Sequence, residues 1–147
     1  MGFIQNCFIR KSTKDLTDKL YRIGNRSGRG YWHSDINTLL VCESDQYRCL
    51  DDEWGNAVSL TKKGYINCGT NEKLFLAIAA LRDDSDYMQW FVTDVRMGSI
   101  NYPESVIPKG SFIQCLKEKW DYPKNEFDSM GIPSHKATVD ELISHFK

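Results

Sequence analysis

No two cysteines in this 147-residue chain stand closer than seven positions apart, and Cys7, Cys42, Cys49, Cys68 and Cys115 include no Cys-x-x-Cys pair. Zinc knuckles place their ligands two to four residues apart, so this spacing excludes them and no metal or cofactor is expected. Three of the five lie in apolar, strand-like runs, where a free cysteine behaves as a small hydrophobe. Long hydrophobic runs are also missing. The longest, Leu74 to Leu81, has eight residues, far short of a bilayer span. The opening Met-Gly-Phe-Ile-Gln-Asn-Cys lacks the basic start and long apolar core of a secretory signal, and Asn6 stands where N-myristoylation wants Ser or Thr. A cytoplasmic protein with no membrane partner is the expectation. Charge of one sign is lacking too. The net value of −1 supplies no general attraction to nucleic acid.

What is present is an ordinary globular composition, 41% hydrophobic and 27% charged, on a chain long enough for one domain with a sizeable core. The charge is unevenly spread. Residues 1–30 carry seven Arg or Lys against Asp15 and Asp18, net +5, which leaves −6 on the remainder. Such asymmetry marks a binding face or two solvated faces that offset one another.

The densest signal is residues 68–92. Leu74 to Leu81 leave no polar face between Lys73 and Arg82, and a helix apolar all round must be covered all round. The spacing predicts a central helix over 70–82, capped by Thr70 or Asn71, with Glu72 complementing the positive end of its dipole. Tyr65 to Cys68 reads as the strand feeding it and Gln89 to Val95 as the strand after it. Phe3 to Arg10 is strand-like. Ser12 begins a Ser-x-x-Asp capping sequence, with Leu16, Leu20 and Ile23 at helical spacing and Gly24 as a left-handed stop. Leu39–Glu43 and Gln46–Leu50 read as paired strands, and 51–64 as a polar segment with a helical turn near Val58–Leu60. Ser111 to Leu116 is an isolated apolar run. Thr138 and Glu141 form a capping box before Val139, Leu142, Ile143 and Phe146, which repeat as one helical stripe. At an offset of 58, Ser12, Leu16, Leu20 and Ile23 fall on Thr70, Leu74, Ile78 and Leu81. Two related halves would give that match, and so would any two capped helices.

Several residue groups carry chemistry on paper. Cys68, before Gly69 and the central helix, is the candidate nucleophile: a helix N-terminus stabilises a thiolate. It also needs a base, and nothing in the sequence brings His33, His135 or His145 to it, so a core-facing thiol explains the position equally. Asp83, Asp84 and Asp86 lack the Gly and distal Glu of an EF-hand loop and read as a solvated turn, as do Asp51, Asp52 and Glu53. The candidate binding surface is Arg22, Arg26, Arg29, Tyr31 and Trp32, interleaved with Gly24, Gly28 and Gly30. Arg offers paired donors, glycine lets backbone N–H groups approach an anion, and aromatics stack on bases. The spacing is neither a P-loop nor a dinucleotide-binding fingerprint. Trp54 and Trp120, set among charges, fit a partner surface, while Trp90 and Phe91 fit a core.

The block Asn67-Cys68-Gly69-Thr70-Asn71-Glu72, the helix Leu74–Asp84, Gln89-Trp90-Phe91 and the ending His135 to Leu142 together resemble a group of short proteins from phages and mobile elements of gut bacteria. That resemblance implies an accessory protein acting in a bacterial cytoplasm. It carries over no catalytic residue, because the group has no assigned activity. The combined expectation is a single α+β domain over residues 1–147, a mixed and mostly antiparallel sheet packed by a buried central helix, in ferredoxin-like order. Three functions follow: a non-enzymatic binding module for a host protein or small anionic ligand, a small enzyme using Cys68, or a nucleic-acid binder through the basic N-terminal third.

Overall fold

A computed structural model describes residues 3–27, 39–43, 45–50, 56–82, 88–96, 107–115 and 133–147. The chain is an α+β domain with two sheets and four helices among those residues. β1 (Cys7–Ile9) leads through the Thr13 cap into α1 (Lys14–Arg22), and β2 (Arg26–Ser27) follows. β3 (Leu39–Glu43) and β4 (Gln46–Leu50) form an antiparallel pair turned at Asp45, whose φ is +67°. α2 (Ala57–Lys62) fills the polar segment, β5 (Ile66–Asn67) is short, and α3 (Glu72–Ala79) is the central helix. β6 (Trp90–Thr93), β7 (Phe112–Gln114), β8 (Ser134–Lys136) and α4 (Val139–Phe146) complete the order.

The large sheet runs β2-β4-β3-β1-β5 and the small one β7-β6-β8. This order differs from the ferredoxin-like one. β1 lies between antiparallel β3 and parallel β5, β2 runs parallel to β4, and the strands after α3 form a separate sheet. Side-chain alternation explains why the large sheet is covered on both faces. Cys7, Ile9, Leu40, Cys42, Tyr47 and Cys49 face the main core with α1 and α3. Phe8, Leu39 and Val41 point the other way, onto Leu60 of α2 and Tyr65. In the small sheet, Val92 belongs to the main core and Phe91 packs with Cys115 and Ile113 on the opposite face.

Two strand–helix units lie side by side. β1 and β5 pair in parallel, with Cys7 opposite Ile66 and Phe8 opposite Asn67, and the helices that follow pack together. Their caps are Thr13 and Asn71, themselves 58 positions apart. The first cap is thus one residue later than the sequence pattern indicates. The Thr13 hydroxyl accepts the Leu16 N–H at 3.1 Å, while buried Ser12 turns its hydroxyl to the Cys49 thiol at 2.8 Å. Arg82 joins the far ends of the two units. Its Nη1 donates to the Ile23 carbonyl at 3.0 Å and its guanidinium lies 4.4 Å from the Phe3 ring centroid. Cation–π contact and the carbonyl offset part of the cost of burying this charge.

α4 packs against α3. Its capping box is complete. Thr138 Oγ1 accepts the Glu141 N–H at 3.2 Å, and Glu141 accepts the Thr138 N–H at 3.0 Å. Asn71 Nδ2 donates to the Phe146 carbonyl, tying the end of α4 to the start of α3. No helix among the described residues is long and apolar enough to cross a membrane.

Candidate functional site

α3 is apolar on every side, yet it is not covered on every side. The large sheet takes one side, while α1 and α4 flank the helix. The stripe Lys73, Leu76, Ala77 and Ala80, spaced i, i+3, i+4 and i+7, lines a cavity of about 500 Å³. Residues from distant parts of the chain complete it: Lys19, Arg22 and Ile23 from the end of α1, Met88 and Trp90 from the start of β6, Gln114 from β7 and Phe146 from α4. Leu76, Met88, Trp90 and Phe146 are half-buried, whereas Lys19, Arg22 and Lys73 are exposed at the rim.

The lining is held in place. Trp90 and Phe146 meet edge to face with ring centroids 5.1 Å apart, and His145 stacks on Phe112 at 3.9 Å behind them. Gln114 Nε2 donates to the Met88 carbonyl at 3.0 Å. Such rings and amides give a site of fixed shape, in the volume range that suits a small molecule.

Its charge has one sign. Among the described residues three cations line the cavity and no carboxylate does. Lys19 is bonded to Asp15 at 3.0 Å one turn away. Among the described residues, Arg22 and Lys73 form no ion pair. Arg22 stands in the last turn of α1, where a cation also complements the helix dipole. Lys73 has no such local benefit. It occupies the first turn of α3, at the positive end, where a cation is disfavoured by a few tenths of a kcal/mol.

Of the residues nominated from the sequence, Arg22 lies on this rim. Arg26 is exposed on the edge strand β2, away from the lining, where a charge also discourages edge-to-edge pairing. Arg29, Tyr31 and Trp32 lie outside the described residues, as do Asp51–Glu53, Trp54, Asp83, Asp84, Asp86 and Trp120. Lys19, Lys73, Leu76, Met88 and Phe146 went unnominated. A lysine opening an otherwise apolar helix was the one local signal of the site.

Cys68 is 4% exposed, with its thiol 3.9 Å from the Ile66 carbonyl. Asn71, not Cys68, engages the first turn of α3 through its bond to the Leu74 N–H at 3.1 Å. Burial pushes the neighbouring Cys7 thiol well above its ordinary value, and hydrogen bonding with Cys42 and Cys68 pushes the same way. Burial of that kind keeps Cys7 a protonated, unreactive thiol. All five cysteines are buried, and no disulfide joins any two of them.

A separate polar cluster sits at the first turn of α4. His135 Nδ1 is 2.7 Å from Asp94 Oδ1, and its Nε2 is 3.1 Å from both Glu141 oxygens. The Asp94 bond, then the Glu141 bond, raises the His135 pKa above its ordinary value. Burial pushes the Glu141 carboxyl up, but the Thr138 N–H and the His135 ring outweigh it and hold the group low. Among the described residues no group of three His, Cys, Asp or Glu is placed to hold a metal ion.

The chain matches no protein-family model, no curated protein and no solved structure.

Proposed function

We propose that this protein is a non-enzymatic binding module that takes a small anionic ligand in the cavity between α1, α3, β6 and α4. One observation carries the reading: half-buried Leu76 with Ala77 and Ala80 of the central helix lines a cavity rimmed by three cations, two of them unpaired among the described residues. An uncompensated cationic rim attracts an anion, and a concave site excludes the water that would screen it. The likeness of residues 67–91 and 135–142 to phage and mobile-element proteins supports an accessory role in a bacterial cytoplasm.

A host-protein contact through Arg26 and the segment after it is the second reading, favoured by an exposed arginine on an edge strand. The other two have less to stand on. A cysteine enzyme would need Cys68 to reach solvent, and it is packed against Cys7. A nucleic-acid surface over the N-terminal third would draw on Lys11 and Lys19, which are already paired to Glu72 and Asp15.

Native mass spectrometry of protein purified gently from its expressing cells tests the leading reading. The expected result is a discrete added mass that is absent from an Arg22→Glu/Lys73→Glu variant of unchanged fold. A bare parent whose thermal midpoint also ignores a panel of small carboxylates and phosphates would overturn it. Recovery of a stoichiometric protein partner instead, lost on Arg26→Glu, would establish the second.

A further inference from the structure

We infer that the ligand of this cavity is an amphipathic acid: a small molecule with an apolar aliphatic or aromatic body and an acidic group at one end. The inference rests on the small-anion reading above and adds the chemistry of the rest of the molecule. The lining divides in two. Its cations, Lys19, Arg22 and Lys73, come from two adjacent helices and are exposed at the rim. Its floor is Leu76, Ala77 and Ala80 of α3, and its walls include Met88, Trp90 and Phe146. A free inorganic anion would gain from the rim and nothing from that floor. A neutral hydrocarbon would fill the floor and leave Arg22 and Lys73 without a counter-charge. Only a ligand with both parts uses the whole surface.

The floor also explains an oddity of the sequence. Leu76 is a large apolar residue left half-buried in the middle of a helix whose neighbours Phe75, Ala77 and Ile78 are buried. Beside it, Lys73 sits at the unfavourable end of the same helix. A ligand whose acidic group meets Lys73 and Arg22 and whose body lies over Leu76 relieves both at once. Arginine matches a carboxylate with two parallel bonds, and lysine adds a point charge. Trp90 and Phe146 present flat apolar surface to the same body.

The test compares four probes that separate the two parts: octanoate, 1-octanol, octylammonium and inorganic phosphate, with anilinonaphthalene sulfonate as a second, aromatic amphipathic acid. Affinity is read by calorimetry on the full chain, with Trp fluorescence as a check. At least one of the two acids is expected to bind about tenfold or more tightly than octanol, octylammonium and phosphate. Arg22→Gln and Lys73→Gln, both at exposed positions, are each expected to weaken it about tenfold while moving the thermal midpoint of the free protein only slightly, the first downward and the second upward. Phosphate binding as tightly as the acids would overturn the apolar body and leave the small-anion reading standing. Equal binding of octanol or octylammonium would overturn the acidic group. Acid binding that ignores both substitutions would overturn the site. No binding by either acid, with none by phosphate, would overturn this inference and the small-anion reading together.

Discussion

The units β1–α1 and β5–α3 share one frame and serve opposite ends. Their strands are parallel neighbours, their helices pack together, and their caps stand 58 positions apart. α1 buries Leu16, Thr17 and Leu20 on one side and gives Lys14, Asp15, Asp18, Lys19 and Tyr21 to solvent. α3 buries Leu74, Phe75, Ala77, Ile78 and Ala79 and keeps little polar surface. Position in the layer sets this contrast. Among the described residues, α3 has the large sheet, α1 and α4 around it, whereas α1 packs on α3 and the sheet. The cavity opens where these two patterns meet, so it combines the cations of the solvated helix with the apolar side of the buried one.

The contrast should be largest in core energetics. Phe75→Ala removes a fully buried ring that touches the main core, and a loss of about 3–5 kcal/mol is expected by urea denaturation. Tyr21→Ala, at 69% exposure on α1, should stay within about 0.5 kcal/mol. Similar losses at both positions would mean that α3 is no more central than α1.

Next comes the junction that ties the two units at their far ends. Gly24 has φ +103°, and a Cβ there would lie 2.9 Å from Arg82 Nη1, the atom that holds the Ile23 carbonyl. Gly24→Ala therefore combines left-handed strain with displacement of a buried guanidinium, and about 2 kcal/mol is the expected cost. Gly69, at φ +58°, has open space where its Cβ would be and should bear the strain alone, about 1 kcal/mol. A Gly69→Ala loss equal to that of Gly24→Ala would show that Arg82 yields without cost.

The caps offer a smaller and closer comparison. Thr13→Ala should lose about 1 kcal/mol, the usual worth of a side-chain bond to the first helical turn. Asn71→Ala removes the matching bond and also the donor to the Phe146 carbonyl, so a loss nearer 2 kcal/mol is expected. Phe146 lines the cavity, and the same variant should weaken ligand binding where Thr13→Ala does not.

How much of this was legible follows from how local each signal is. The Thr138–Glu141 capping box and the β3–β4 pair rest on neighbours in the chain, and both appear where the pattern places them. The first cap is off by one because Ser12 and Thr13 both carry a hydroxyl, and only the tertiary contact with Cys49 decides between them. Strand order was not legible: β2 and β5 are two residues each and carry no pattern that selects parallel partners. The rule that an all-apolar helix is wholly covered failed at Leu76, which is only half-buried, because it counts residues and not neighbours. The cavity draws on residues from Lys19 to Phe146, and only the fold brings them together.

The smallest effect separates the two helices by pH. α4, the cover of α3, is pinned at its first turn by His135 between Asp94 and Glu141, and α1 has no counterpart among the described residues. The His135 pKa is raised in the folded protein, so its contribution is complete below the ordinary histidine value and is lost as pH rises through the raised one. The Glu141 pKa is lowered, so its share is complete above the ordinary carboxylate range and is lost as pH falls through the lowered value. Docking of α4 should therefore be firmest in mild acid. The cluster is solvent-accessible, with the His135 side chain 44% exposed, so the effect is modest and fades with salt. Amide hydrogen exchange, corrected for intrinsic rates from about pH 5.5 to about pH 8.5, reads it directly across the histidine range. Protection at Leu142 and Ile143 should fall with rising pH while that at Leu16 and Leu20 holds, and His135→Gln should flatten the first trend. A parallel fall in both helices would place the titration in the global stability of the fold and not in the cover of α3.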